Sequence, residues 1–165
     1  MGKPACCVLV AAACLVAACG GRRAVPQPFP GSGSPPAGRS EVSSRTLPAV
    51  AATALSLLGV PYRNGGADTD GFDCSGFVQY VFARHGLALP REVRDQFGAG
   101  QAIDVKDVVP GDLVFFETVA RGASHVGIAL GNGEFVHAPS SRGVVRVERY
   151  TAAYWAARWI GARRV

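Results

Sequence analysis

Residues 73–86 read Asp-Cys-Ser-Gly-Phe-Val-Gln-Tyr-Val-Phe-Ala-Arg-His-Gly. Phe77, Val78, Val81 and Phe82 recur at the spacing of one helix face, and Gly86 ends the run. Asp73 stands where an N-cap belongs, so Cys74 opens the helix. A thiol at a helix start meets unpaired backbone N–H groups and the positive end of the helix dipole, and both favour the thiolate. The competing reading is a small apolar filler between helix and sheet.

Downstream the apolar period shortens to two. Beyond Pro110-Gly111-Asp112, residues 113–116, 125–130, 134–138 and 144–147 read as strands, with Gly131-Asn132-Gly133 as a hairpin turn. Upstream, residues 47–58 are rich in Ala and Leu and stop at Gly59 and Pro61, the pattern of a helix. Residues 61–71 are turn chemistry throughout, and a short turn or helix fits 91–97 after Pro90. Helices followed by a run of antiparallel strands give an α+β domain over 45–165.

Two histidines fall on the strands. Alternation puts His125, Gly127 and Ala129 on one face and Val126, Ile128 and Leu130 on the other. With only Gly and Ala beside it, His125 is expected to face open space. If the turn takes three residues, Leu130 opposes Glu134 and Gly127 opposes His137. The two imidazoles then share a face as diagonal neighbours, roughly 7–8 Å apart at the backbone. A two-residue turn puts them on opposite faces. Cys74 as nucleophile, His125 as general base and acid, and His137 as the group that orients the imidazole form a coherent set. Backbone N–H groups at the helix start offer an oxyanion hole. A Cys/His/His zinc site is the rival, but it lacks the close spacing of such ligand sets, and neither metal nor cofactor is expected.

The other four cysteines, Cys6, Cys7, Cys14 and Cys19, all precede residue 20. Lys3 and the small apolar residues 5–18 make 1–18 a secretory leader, too short for a spanning helix of ~20 residues. It ends Leu15-Val16-Ala17-Ala18-Cys19, which resembles the lipobox of bacterial lipoproteins. That likeness implies a lipid-bearing Cys19 as first residue of the mature chain and a location in the bacterial cell envelope. Where the cell has an outer membrane, the anchor is expected there, facing the periplasm. Residues 19–44, with Pro26, Pro28, Pro30, Pro35 and Pro36, bury too little to fold and read as a tether reaching roughly 25–30 Å. Cys74 is then the one thiol left in the catalytic part, with no disulfide partner. The net charge of +5 falls to about +4 without Lys3, which suits an anionic wall or headgroup surface. No aromatic–basic interleaving points to nucleic acid.

Seven segments, in order, resemble the NlpC/P60 family of cell-wall cysteine peptidases. They are residues 61–66 (PYRNGG), 73–77 (DCSGF), 89–91 (LPR) with Gln96, 111–116 (GDLVFF), 125–128 (HVGI), 135–138 (FVHA) and the closing 155–163. The resemblance implies a papain-like fold, with the cysteine helix packed on the antiparallel sheet that carries the histidines. It implies hydrolysis of peptidoglycan stem peptides, with the bond between γ-D-glutamyl and a diamino acid as the expected target; separately from the resemblance, a monomer is expected. Cys74, His125 and His137 match the family's triad. Tyr62, Asp73 and Ser75 match positions that hold substrate, Asp73 capping the helix and meeting the substrate's amine. Arg91 matches a position without an assigned role and reads as a surface arginine. The alternatives are a related cysteine amidase or acyltransferase, and an inactive wall-binding lipoprotein.

Overall fold

The structure is a computed structural model that describes residues 46–139 and 143–165. The leader over 1–18, Cys19 and the tether over 19–44 lie outside the described residues. Helix α1 (Thr46–Leu55) ends in turns that reach Gly59, whose φ of 86° stops the helix. Strands β1 (Ala67–Asp68) and β2 (Gly71–Phe72) form a short antiparallel hairpin. All but Phe72 lie within the stretch that reads as turn throughout, because paired strands of two residues carry no alternation to detect. Helix α2 (Cys74–Ala83) follows at once, then α3 (Val93–Phe97), β3 (Gln101–Ile103), β4 (Leu113–Phe116) and β5 (His125–Gly131). The chain closes with β6 (Glu134–His137), β7 (Arg146–Arg149), α4 (Ala153–Ala156) and β8 (Trp159–Arg164).

The main sheet is antiparallel, in the order β3-β8-β4-β5-β6-β7. The α+β class therefore stands. The last predicted strand sits two residues later than its apolar pattern, at β7, and β3, α4 and β8 are additions. In β8 the burial is half-hearted along Trp159-Ile160-Gly161-Ala162-Arg163-Arg164, which hides the period of two. What fixes β8 is an ion pair. Fully buried Asp112 accepts Arg164 Nε at 2.8 Å and Nη2 at 2.7 Å, a two-pronged contact beside the start of β4.

Strand β4 explains the layering. Its Leu-Val-Phe-Phe is buried at every position, so both faces of the sheet are covered. Leu113 and Phe115 join Val126, Ile128, Phe77, Val78, Val81 and Phe82 beneath the helices. Val114 and Phe116 join Ala129, Phe135, Tyr150, Trp155 and Ala162 on the other side. The helix-facing residues of α2 are those that the sequence spacing selects, and all four have no exposed surface. Burial of each such side chain stabilises the fold by about 1.5–3 kcal/mol.

Candidate active site

Cys74 is the first residue of α2 because Asp73 caps it. The Asp73 carboxylate accepts the N–H of Gly76 at 2.7 Å, and Asp73 itself is extended, with φ −90° and ψ 176°. The β1–β2 hairpin presses on this first turn. A side chain at Gly76 would place its Cβ 2.0 Å from the carbonyl oxygen of Gly66, so only glycine lets the two backbones meet.

Four side chains gather at the Cys74 end of α2. Arg91 reaches both carboxylate oxygens of Asp73, with Nη1 at 3.0 Å from Oδ1 and Nη2 on Oδ2, and Nη1 also donates to Ser75 Oγ at 2.7 Å. Ser75 Oγ donates in turn to Asp73 Oδ1 at 3.3 Å. Tyr62 shares the pocket: burial first, then the negative potential of Cys74 and Asp73, pushes its hydroxyl pKa up, with Arg91 opposing. Tyr62, Asp73 and Ser75 are thus brought together. Arg91 is no free surface arginine, since two-thirds of its side chain is covered and both carboxylate oxygens of Asp73 are occupied by it. Gln96 supports the group from below, its Nε2 donating to the carbonyls of Ser75 at 3.0 Å and Pro90 at 2.8 Å.

The thiol does not titrate as helix position alone predicts. Burial, then the Asp73 carboxylate, pushes Cys74 up to about 11. The backbone N–H groups of Val126, Ser75 and Cys74 pull the other way without prevailing. At neutral pH the resting group is a thiol.

His125 and His137 do share a face, yet by a different route from the three-residue turn. Gly131 pairs with Glu134, so the turn has two residues, Asn132 and Gly133, both at positive φ. Between Ala129 and Gly131 the register shifts, and Leu130 is the extra residue of a bulge. Ala129 then pairs with Phe135 and Ile128 with Val136, which sets Gly127 beside His137. The result is a hydrogen bond of 2.7 Å between His125 Nε2 and His137 Nδ1. The face is not open space. His125 is buried against Trp155, stacked at 5.3 Å between ring centroids, and Phe135 lies 4.6 Å from His137 in the same measure. Gly127 is small because a Cβ there would come within 2.6 Å of the Phe135 ring.

Burial lowers both imidazoles to about 3, helped at His125 by His137 and at His137 by Arg146, while Glu148 opposes the shift at His125. Both are neutral at physiological pH, the state a general base requires. With its Nε2 on His137, His125 keeps Nδ1 for another partner. Val126, the next residue, has its N–H toward the sulfur of Cys74. No hydrogen bond joins that sulfur to either imidazole among the described residues. The imidazole nitrogens at 2.7 Å face each other. The third histidine, His85, is elsewhere, bonded to Thr53 of α1 at 2.9 Å.

Three residues of the site escape the sequence reading. Arg91 is signalled only by its place after a Leu-Pro turn. Trp155 is signalled only as the start of the closing segment, and Glu148 gives no local sign at all; Trp155 Nε1 donates to Glu148, whose other oxygen lies 3.7 Å from His137 Nε2.

A model of the NlpC/P60 family matches residues 59–164. The chain is 37% identical over 161 residues to a protein of Escherichia coli named "Probable endopeptidase NlpC", covering 96% of this chain and 98% of that one. It is 37% identical over 120 residues to the γ-DL-glutamyl hydrolase of Bacillus subtilis, 70% of this chain but 29% of the relative's length. Against the murein DD-endopeptidase MepS/murein LD-carboxypeptidase of Escherichia coli it is 44% identical over 108 residues, 65% of this chain and 56% of the relative. The crystal structure of the NlpC/p60 domain of the peptidoglycan hydrolase SagA superposes with a TM-score of 0.63 at 37% identity, over 71% of this chain and 97% of that one.

Proposed function

The chain belongs to the NlpC/P60 family, and from that we propose that it is a cysteine peptidase of the bacterial envelope that hydrolyses peptidoglycan stem peptides through Cys74, His125 and His137. One observation carries the proposal. The 2.7 Å contact with His137 takes up Nε2 of His125, so Nδ1 is the nitrogen left to serve Cys74, whose sulfur meets the N–H of the adjoining residue Val126.

Chemistry begins from a neutral pair. His125 Nδ1 takes the thiol proton as Sγ attacks the scissile carbonyl, and the tetrahedral oxyanion forms at the first turn of α2, where backbone N–H groups converge. The same proton passes to the departing amine, leaving a thioester on Cys74. Water, deprotonated by His125, then releases the acid and restores the thiol. Bringing substrate into the pocket excludes solvent and lines up sulfur and nitrogen, which the resting geometry leaves without a direct bond.

Substrate is held by the group around Asp73. Its carboxylate and the Arg91 guanidinium present opposite charges side by side, with Ser75 and Tyr62 hydroxyls adjacent, a surface suited to a peptide bearing both amine and carboxylate. The bond between γ-D-glutamyl and a diamino acid is the preferred target, in line with the name of the Bacillus relative. The DD-endopeptidase name of another relative favours a second reading, cleavage at a D,D cross-link. Mass spectrometry of muropeptides incubated with the protein and with its Cys74→Ala variant tests both. Cleavage by the parent alone supports the proposal, and fragment masses identify the bond. Equal cleavage by both would remove Cys74 from the mechanism.

Lipid attachment at Cys19 and a tether over 19–44 complete the proposal, on the strength of the Leu15–Cys19 pattern. Incorporation of labelled palmitate that persists in Cys19→Ala would refute the anchor.

A further inference from the structure

Resting on that catalytic reading, we propose that Glu148 is a positioning residue that fixes the proton pattern of the two imidazoles and steadies the charge they acquire. His125 acts as a base only if Nδ1 carries the lone pair, so its hydrogen sits on Nε2. That hydrogen must be donated to His137 Nδ1, 2.7 Å away, which forces the hydrogen of His137 onto its own Nε2. This nitrogen is fully buried and has no hydrogen-bond partner among the described residues. The facing acceptor is Glu148 Oε1 at 3.7 Å.

The placement follows from register. Phe135 pairs with Glu148 and His137 with Arg146 across β6 and β7, so His137 and Glu148 are diagonal neighbours on one face. Glu148 is held on two sides, by the Trp155 indole N–H on Oε2 and by Arg146 Nη2 at 2.5 Å from Oε1. Its carboxylate cannot swing freely to solvent. The gap of 3.7 Å is longer than a hydrogen bond, and shortens when positive charge develops on the pair. Arg146 works against that charge and Glu148 for it; His125 and His137 are the other titratable groups at this spot.

Imidazole 15N spectra of the parent, without substrate, test the pattern directly. Both His125 and His137 are expected as Nε2–H tautomers, and an Nδ1–H tautomer at His137 overturns the proposal. In kinetics on muropeptides, Glu148→Ala is expected to lower kcat about tenfold with KM within about twofold, and Glu148→Gln, whose amide oxygen still accepts, to recover most of the loss. Full kcat in Glu148→Ala would overturn it. If Glu148→Ala does not fold, an unchanged parent-like tautomer in the folded Glu148→Gln supports the role and a shift to Nδ1–H overturns it. A parent with the expected tautomers that cleaves no muropeptide would leave Glu148 where we place it and refute the function alone.

Discussion

Beside Cys74 the charged side chains are matched: Asp73 has Arg91, Ser75 and the N–H of Gly76, and Arg91 has Asp73 and Ser75, while beneath them the buried Oε1 of Gln96 has no partner among the described residues. Around His137 a buried nitrogen lacks a bond, an omission that costs about 1–3 kcal/mol. In the first region the Asp73–Ser75–Arg91 set comes from 19 residues of chain, on a helix start and the turn that follows, with Tyr62 and Gln96 joining it from either side. The second needs β5, β6, β7 and α4 in register. On the Cys74 side the charges are thus paired by residues close in sequence, whereas the imidazole side is buried and open to one more donor–acceptor contact. The difference separates two tasks. Holding a thiol and a substrate calls for satisfied groups that do not move; moving a proton calls for a pair whose preferences are finely opposed.

Mutations at the imidazole side should reveal this contrast most strongly. His137→Ala is expected to lower kcat roughly a hundredfold or more, and His137→Asn roughly tenfold, because an amide can still accept the His125 N–H. Equal losses in steady-state assays would mean that His137 packs rather than orients. Next in size is Gly127→Ala. The added Cβ meets the Phe135 ring at 2.6 Å and the Val136 carbonyl oxygen at 2.8 Å, so a loss of about 1–3 kcal/mol in denaturant unfolding is expected, with weakened activity. Unchanged stability would mean that the aromatic layer yields where we describe it as full.

The smallest effect probes the nucleophile's side. With the thiol pushed up to about 11, the thiolate fraction rises with pH, so iodoacetamide alkylation of Cys74 should quicken about tenfold per pH unit from ~7 to ~9. A plateau from pH ~5 upward would instead mark a preformed thiolate–imidazolium pair. Arg91→Gln leaves the Asp73 carboxylate uncompensated beside the sulfur and should slow alkylation a few-fold at a fixed pH.

What the sequence discloses follows the same division. The cap at Asp73, the buried face of α2 and the strand at Leu113–Phe116 are carried by spacing over a few residues, and they hold in the structure; the shared face of His125 and His137 holds too, but through the bulge at Leu130 and not through a three-residue turn. The thiol's acidity is misjudged from sequence because helix position speaks for the thiolate while burial and Asp73, visible only in three dimensions, outweigh it. Arg91 is missed since an arginine eighteen residues from its carboxylate has no periodic relation to it. Glu148 lies just past the strand that the sequence spacing sets at 144–147; only the pairing of β7 with β6 brings it to the face of His137. Trp155 depends in the same way on where α4 docks.

The bulge at Leu130 bears on how such a hairpin tolerates gain and loss of residues over evolutionary time. Removing Leu130 leaves Ala129 opposite Phe135 and Gly131 opposite Glu134 as consecutive pairs, a regular ladder with the same histidine face. A one-residue deletion there is therefore neutral for the imidazole pair. A deletion between His125 and Ile128 instead changes the parity of His125 relative to His137 and turns one ring away. Lineages descended from this chain can shorten the hairpin at its tip end and keep the paired imidazoles, but the half next to Cys74 has a fixed length.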